Sequence, residues 1–164
     1  MFDQTTETTT ARLMTIGYEG AEIHDFIATL LMHEVRTLID VRELPLSRKK
    51  GFSKRALGEA LDAVGIMYRH VKQLGDPKPG RVAARSGDMA TFRQIFGKHM
   101  EQEPTKAALR DVVPAIMEGG ACLLCFERCH QDCHRAIVAD KLANIAAIEL
   151  AHIGVVHGIA RREE

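Results

Sequence analysis

Residues 13–41 read LMTIGYEGAEIHDFIATLLMHEVRTLIDV, and their apolar pattern decides the class of fold. Residues 13–16 form a short apolar run that predicts a buried strand, closed by a glycine-containing turn. Residues 21–33 then place large apolar side chains at helical spacing, and residues 35–41 form a β-branched second strand. A strand, a helix and a strand within about 30 residues are typical of a βαβ unit. We therefore expect an α/β domain with a mostly parallel sheet covered on both faces.

The remaining elements follow from the same kinds of pattern. We predict a loop at 42–52, a helix from Ser53 to Ala63, a strand at 66–71 and a long loop at 72–87. Helices are predicted at 88–100, 104–118 and 133–148, and strands at 121–126 and 151–159. No internal repeat or domain boundary is visible, so we expect one domain over residues 12–160, with about five strands, after a disordered tail at 1–11.

Composition and charge narrow the class of protein. The 164 residues include 22 Lys plus Arg and 22 Asp plus Glu. The resulting net charge of zero argues against a surface that grips nucleic acid throughout, although it permits a local basic patch. There is neither a membrane-length apolar run nor a secretion signal, and all four cysteines lie between Cys122 and Cys133. Without such a run or signal, we expect a soluble protein with no membrane partner. The clustering of the cysteines predicts reduced thiols, which are typical of the cytoplasm.

Three chemically unusual segments each follow a predicted strand. They are residues 17–20, which include Tyr18, residues 40–48, and residues 125–135. In open α/β sheets, ligands bind beyond the carboxyl ends of the strands, and a parallel sheet places those ends along one edge. The sequence therefore predicts a ligand site where the three segments meet.

The second of these segments opens a strongly basic loop. Residues 41–55 contain Glu43 as the single acid against six basic residues: Arg42, Arg48, Lys49, Lys50, Lys54 and Arg55. Arginine presents a donor fork that matches phosphate, Ser47 adds a hydroxyl, and the helix that starts near Ser53 adds free backbone N–H groups. The pattern favours a binding loop for the phosphate of a nucleotide or nucleic acid. A solvated basic loop is the plainer alternative.

Two residues at strand ends are candidates for proton transfer. Asp40 closes an apolar strand two residues before Arg42, and side chains at i and i+2 share one face of a strand. We therefore expect an Asp40–Arg42 ion pair that orients the arginine, and we keep Asp40 as a candidate catalytic carboxylate. His70, at the end of the third predicted strand, is a candidate acid or base. A purely structural role is the alternative for both.

Residues 125–135, CFERCHQDCHR, are the densest in reactive groups and allow three interpretations. A thiol nucleophile or redox thiol is one, because Cys133 stands at a helix start beside Arg135 and both features stabilise a thiolate. A metal site built from Cys125, Cys129, Cys133 and a histidine is another, although its spacing departs from the usual C-x2-C. Cys129 to Arg135 also spells C-x5-R, the pattern of a phosphatase loop.

A plainer alternative makes these cysteines buried hydrophobes with polar residues beyond them in solvent. We accept it for Cys122, since a free cysteine packs like a small apolar residue. For Glu127, Cys133, His134 and Arg135 we favour a functional role.

The chain also resembles the bacterial and archaeal family catalogued as domain of unknown function 488. The resemblance is carried by motifs between residue 15 and about residue 140: Thr15–Gly20, Leu38–Arg42 with Pro45, Ser47 and Arg48, Gly51–Lys54, Tyr68, His70, Leu74-Gly75, Cys125, Glu127 and Cys133-His134-Arg135. It implies a single Rossmann-like, three-layer α/β domain with one polar site built from those motifs, and it implies no reaction. Cys129 lies outside the family pattern, which disfavours the phosphatase loop and the three-cysteine metal site.

Our leading hypothesis is an enzyme that acts on a phosphate-bearing substrate, either a nucleotide or a nucleic acid. The expected anion-binding residues are Tyr18, Arg42, Ser47, Arg48, His134 and Arg135. The expected catalytic residues are Glu127, His70 and Asp40 for proton transfer, and Cys133 or Cys125 as nucleophile. The alternatives are a non-catalytic nucleic-acid-binding module and a thiol or metal redox sensor built on Cys125 and Cys133. The sequence indicates no particular cofactor, metal or oligomeric state.

Overall fold

The structure is a computed structural model that describes residues 10–163, so the tail predicted at 1–11 lies mostly outside the described residues. The elements run in the order β1 (Ala11–Gly17), α1 (Ile23–Met32), β2 (Thr37–Asp40), α2 (Lys54–Asp62), β3 (Met67–His70), α3 (Lys78–Arg85), α4 (Met89–Met100), α5 (Glu103–Met117), β4 (Ala121–Cys125), α6 (His134–Ile145) and β5 (Ile148–His152). Short 3-10 turns lie at 72–74, 130–132 and 159–163. The predicted α/β class is confirmed.

The five strands form one sheet in the order β3-β2-β4-β1-β5, and every pair of neighbours is parallel. This order is Rossmann-like, with β4 in the centre between β2 and β1. Gly17 of β1 lies opposite Cys125 of β4, and Asp40 of β2 lies opposite Leu124. The carboxyl ends of the three central strands therefore stand side by side.

Each face of the sheet contributes to a separate hydrophobic core. Leu13 and Leu123 point into the cluster that α4, α5 and α6 cover, whereas Met14 and Leu124 point into the cluster under α1 and α2. All five residues of β4 are buried, as expected for a central strand with helices on both faces. The result is the three-layer arrangement that the βαβ pattern indicates.

Most predicted elements differ from the structure only at their ends, as α6 does by ending at Ile145, but two differ more. The loop predicted at 72–87 contains α3, because Pro77 and Pro79 lie at the helix N-cap and in its first turn, where proline needs no amide hydrogen. The strand predicted at 151–159 is instead β5, residues 148–152, which pairs with β1 from Ala11 onward. Ile153 and Val155 still pack against the core, so their apolar character reflects burial outside the sheet.

The longest helix, α5, has 15 residues and contains Pro114 three residues before its end. Proline removes one helical hydrogen bond, yet α5 continues to Met117 because Val112 and Ile116 remain buried against the sheet. Within residues 10–163, no helix combines the length and the apolar character that crossing a bilayer requires.

Candidate functional site

The three segments singled out in the sequence meet at the carboxyl edge of the sheet. The backbone N–H groups of Tyr18 and Glu19 donate to the carbonyls of Cys125 and Phe126, at 3.3 and 2.8 Å. On the other side of β4, the N–H of Val41 donates to Leu124 at 3.0 Å. These hydrogen bonds extend the parallel ladders past the strand ends and hold the three segments together.

The predicted ion pair between Asp40 and Arg42 is present and buried. Arg42 donates from Nε to one carboxylate oxygen at 2.9 Å and from Nη2 to the other at 2.7 Å. The Tyr68 hydroxyl donates to the same carboxylate at 2.5 Å. Burial by itself lowers the pKa of Arg42, but the hydrogen bonds and charge of Asp40 outweigh it, so the pKa is raised. Asp40 is thus a fully paired carboxylate at the end of β2.

Arg42 also ties the neighbouring segments to this ion pair. Its Nη1 donates to the Tyr18 hydroxyl at 3.2 Å and to the Phe52 carbonyl at 2.7 Å. The Tyr18 ring stacks on Phe52, with ring centroids 4.4 Å apart. Four of the five N–H groups of a guanidinium are therefore engaged, and one remains for a ligand. Arg42 and Tyr18 are therefore both buried, and neighbouring residues of the same edge hold their side chains.

Hydrogen bonds between Ser47 and Ser53 hold the basic loop, residues 41–55, in a closed conformation. The Ser53 hydroxyl donates to the Ser47 carbonyl at 3.1 Å and accepts from the Ser47 N–H at 3.0 Å. The Ser47 hydroxyl in turn accepts from the N–H of Lys49 at 3.0 Å. Ser53 is the N-cap residue of α2, as predicted, but its hydroxyl bonds within the loop instead of capping the helix. Arg48 stays exposed and makes no ion pair within residues 10–163.

His70 is separated from the cysteines by a whole strand. It ends β3 at the edge of the sheet, and its Nε2 lies 2.7 Å from the Arg42 carbonyl. A carbonyl only accepts, so Nε2 carries the hydrogen. His70 borders a cleft of about 210 Å³ that Gln73 and Asp111 also line. The structure therefore brings His70 to the backbone of Arg42 and not to Cys125.

Cys125, Glu127 and Cys133 converge at the end of β4, and we call these three residues the Cys–Glu–Cys cluster. Their sulfur and carboxylate atoms all lie within 4.8 Å of one another. The two sulfurs are in direct contact, as in a disulfide, and Glu127 Oε2 lies 3.5 Å from Cys125 Sγ. The two Cα atoms are 7.5 Å apart, beyond the roughly 4.4–6.8 Å that disulfides span. Burial raises the pKa of Glu127.

Arg135, from the first turn of α6, holds this cluster in place. Its Nη1 donates to Cys125 Sγ at 3.1 Å and also to the Glu127 carbonyl. Its Nη2 donates to the Arg128 carbonyl at 3.3 Å, and its Nε donates to Thr15 Oγ1 at 3.1 Å. Burial lowers the pKa of Arg135. Arg135 therefore joins the Cys125 sulfur to β1 and to the loop that follows β4.

Gly17 makes room for this arrangement. A Cβ atom at this position would overlap the Glu127 carbonyl and crowd Arg135 Nη1. The sequence suggests that this glycine serves a turn, but the structure shows that it permits a close approach between β1 and the cluster. No side chain larger than hydrogen fits there without displacing Glu127.

His134 is a buried, neutral neighbour of Cys133. Its Nε2 lies 2.6 Å from the Val41 carbonyl and so carries the hydrogen. Its Nδ1 therefore presents a lone pair to Cys133 Sγ at 3.7 Å. Burial lowers the pKa of His134 to about 4, so the ring is uncharged at neutral pH. His134 therefore has no positive charge with which to attract an anion, the ligand predicted for it.

A second buried acid, Asp76, lies near the same edge and is absent from the sequence-based candidates. It is 5% exposed, and its Oδ1 has no hydrogen-bond partner within residues 10–163. Burial raises the pKa of Asp76 to about 7, Arg81 opposes the rise, and the charges of Glu127 and Glu43 add to it. Arg81 also donates to the Asp76 carbonyl and pairs with Glu43. An acid just before a helix looks like an ordinary cap, so no sequence signal marks it.

A histidine pair flanks Arg135 on the side of β5. Thr15 Oγ1 accepts from Arg135, so its own hydrogen is directed at His152 Nδ1, 2.6 Å away. The His152 ring stacks on His130 with centroids 3.7 Å apart. Partial burial and the charges of His130 and Arg135 lower the pKa of His152. Sequence reasoning missed both histidines, because their partners are far away along the chain.

Comparison with known proteins adds a family but no activity. The family model described as "Domain of unknown function DUF488" matches residues 22–142, which is well over half of the chain. The matched span contains β2, β3, β4 and the Cys–Glu–Cys cluster. No curated protein and no solved structure matches the chain significantly.

Proposed function

The chain belongs to the family described as domain of unknown function DUF488, and from this premise we propose that it is an enzyme acting on a phosphate-bearing substrate. The substrate class is a nucleotide or a nucleic acid, bound at the carboxyl edge of the sheet. The observation that carries the proposal is the contact of Arg135 with Cys125 Sγ inside the Cys–Glu–Cys cluster. A guanidinium, two thiols and a carboxylate at the end of a central parallel strand are typical of a reaction centre.

Cys133 is the better placed of the two candidate nucleophiles. It is the N-cap residue of α6, and its sulfur accepts from the backbone N–H of Arg135 at 3.4 Å. The neutral His134 presents Nδ1 to the same sulfur and can accept a hydrogen bond from its thiol. A helix N-terminus and a donated backbone N–H both stabilise negative charge on a sulfur, so these two features favour attack by Cys133.

Glu127 is the candidate for proton transfer in the reaction. Its side chain is only partly buried, whereas Cys125 and Cys133 are buried, so it is the member of the cluster most open to a ligand. Burial raises its pKa, which brings the carboxyl group nearer to the neutral range in which acid–base catalysts work best.

The cations available to a phosphate lie in the basic loop. Arg42 and Arg135 each have four of their five N–H groups engaged, whereas Arg48, Lys50 and Lys54 are exposed. The loop follows β2, and β2 is the neighbour of β4, whose end carries the cluster. Arg48 would bind the anion through its planar donor fork while the lysines add positive charge.

A thermal-shift measurement on the full chain tests this proposal. The ligands are inorganic phosphate, nucleoside monophosphates and triphosphates, and single- and double-stranded oligonucleotides. We expect a saturable rise in melting temperature for the wild type and for the control Arg93→Ala, an exposed arginine on α4, and no rise for Arg48→Ala. The proposal fails if no phosphate-bearing ligand shifts the wild type, or if Arg48→Ala responds as the wild type does.

A second candidate, a non-catalytic nucleic-acid-binding module, is favoured by the exposure of the basic loop beside buried thiols. Incubation with the stabilising ligand, followed by phosphorus NMR, separates the two candidates. An enzyme converts the ligand, and Glu127→Gln slows the conversion while binding persists. A ligand recovered unchanged, with an affinity that falls steeply with salt, would instead support the binding module.

A further inference from the structure

We infer that Cys125, Glu127 and Cys133 form a binding site for a divalent zinc ion. Thiolate sulfur and carboxylate oxygen are both ordinary zinc ligands. The three donor atoms already lie within 4.8 Å of one another, although residues 125–133 combine a strand end, a loop and a 3-10 turn. One small cation can touch all three atoms once the two sulfurs, which are in contact here, move apart.

The backbone separation of the two cysteines supports a shared ion over a covalent bridge. Their Cα atoms are 7.5 Å apart, and cysteines more than about 7 Å apart cannot be bridged without backbone movement. An ion between the sulfurs adds two metal–sulfur bonds of about 2.3 Å each, so a wider backbone separation is accommodated.

A divalent cation matches the charge of the site when its ligands bind in their ionised forms, as zinc requires. Two thiolates and the Glu127 carboxylate carry three negative charges in a largely buried place. Arg135 supplies a single positive charge, through its contact with Cys125 Sγ. A zinc ion supplies the other two, and the Arg135 N–H remains hydrogen bonded to a metal-bound sulfur, as groups around metal ligands commonly are.

Three protein ligands leave one tetrahedral position open, which is the pattern of catalytic rather than structural zinc sites. His134 Nδ1 faces Cys133 but lies outside the group of mutually close donor atoms. A water molecule or a phosphate oxygen of the substrate would take the open position, and this last point rests on the proposed function. With zinc bound, both sulfurs are ligands, so Cys133 can act as a nucleophile only in the metal-free chain.

Metal titration of the reduced, full-length chain tests the inference without any substrate. Zinc is titrated in competition with a chromophoric chelator, and cobalt is titrated separately to record thiolate-to-cobalt absorption. We expect one ion per chain and thiolate-to-cobalt bands. In Cys133→Ser we expect affinity to fall at least about 100-fold, beyond the losses typical of groups around the ligands. Cys129→Ser, an exposed cysteine in the same loop, should bind as the wild type does.

Glu127→Gln provides a second variant in case the buried cysteine variants fail to fold. It removes a ligand charge at a partly exposed position, so we expect a stable protein with clearly weaker zinc binding and shifted cobalt bands. The inference is overturned if the reduced wild type binds no zinc, or if Cys129→Ser alone abolishes binding. It is also overturned if the reduced protein binds no metal and a mild oxidant then joins Cys125 to Cys133. None of these results depends on whether a phosphate-bearing ligand binds.

Discussion

The Arg42 guanidinium binds the Asp40 carboxylate through two hydrogen bonds, of 2.9 and 2.7 Å, at the buried end of β2. The side chains of the pair are 6% and 0% exposed. Because both charges are removed from water, each depends on the other for its stability. The same arginine reaches Tyr18 and Phe52, so one ion pair joins β2, the end of β1 and the basic loop.

Removing Arg42 should therefore destabilise the fold strongly. Arg42→Ala leaves the Asp40 carboxylate buried without its partner, which costs about 3–5 kcal/mol of unfolding free energy. Urea denaturation followed by circular dichroism measures this loss. Arg55→Ala is the control, because the Arg55–Glu59 pair is 93% and 70% exposed and should contribute less than about 0.5 kcal/mol. Equal losses in the two variants would refute the prediction.

Gly17→Ala should disturb the Cys–Glu–Cys cluster. The added methyl group overlaps the Glu127 carbonyl, so the backbone after β4 must shift, at a cost of about 1–3 kcal/mol. Gly97→Ala is the matched control, since its Cβ meets nothing within 4 Å and α4 gains about 0.5–1 kcal/mol from the better helix former. Thermal melts give the stability of both variants, and the cobalt spectrum reports the cluster. A Gly17→Ala protein as stable as Gly97→Ala would contradict this account.

Asp76 should make stability fall as pH rises. Its pKa is raised to about 7 in the folded protein, against about 3.9 for an ordinary aspartate. The folded state holds the proton more tightly, so this contribution is complete below about pH 4 and is lost as pH rises to about 7. Arg81 faces the carboxyl group and opposes the shift, whereas Glu43 and Glu127 add to it.

Comparison of the wild type with Asp76→Asn tests this pH dependence. The amide cannot ionise, so the free energy of unfolding of the variant, relative to that of the wild type, should rise by at least about 1 kcal/mol between pH 5 and pH 8. Denaturant unfolding at the two pH values gives the four free energies. A difference between the proteins that is the same at both pH values would show that Asp76 does not titrate in this window.

The two cysteines outside the cluster should differ sharply in reactivity. Cys129 is exposed, whereas Cys122 is fully buried. Burial raises the pKa of Cys122, so only a very small fraction of this thiol is ionised at neutral pH. Under native reducing conditions a thiol reagent should label Cys129 rapidly and Cys122 only after unfolding. Peptide mass mapping identifies the labelled residue, and Cys129→Ser should lack the rapid phase. Rapid labelling of Cys122 in the folded chain would count against the packing of β4.

Sequence patterns predicted most of the architecture correctly. The βαβ unit at residues 13–41 indicates a parallel sheet, and a parallel sheet brings the segments after β1, β2 and β4 to one edge. The sequence pattern did not predict α3, because proline and glycine residues are frequent at 72–87 and such a composition is typical of a loop. In the structure these residues lie at the start of a helix, where Gly80 packs closely against Asp76. The Asp40–Arg42 pair was predictable because Arg42 follows the last residue of β2 by two positions, and side chains two apart on extended chain point to the same side.

Local sequence patterns were enough to predict the class of fold, the edge of the sheet that carries the candidate site and the residue types gathered there, because periodicity and strand alternation act over short stretches of chain. The contacts that these side chains make depend on the three-dimensional arrangement of the elements. Arg135 meets Thr15 across 120 residues, and His134 meets Val41 across 93. Such contacts depend on the order of strands in the sheet, which local patterns do not encode. They bury Arg135, one of the residues predicted to bind an anion, and bring Cys125, Glu127 and Cys133 into one cluster.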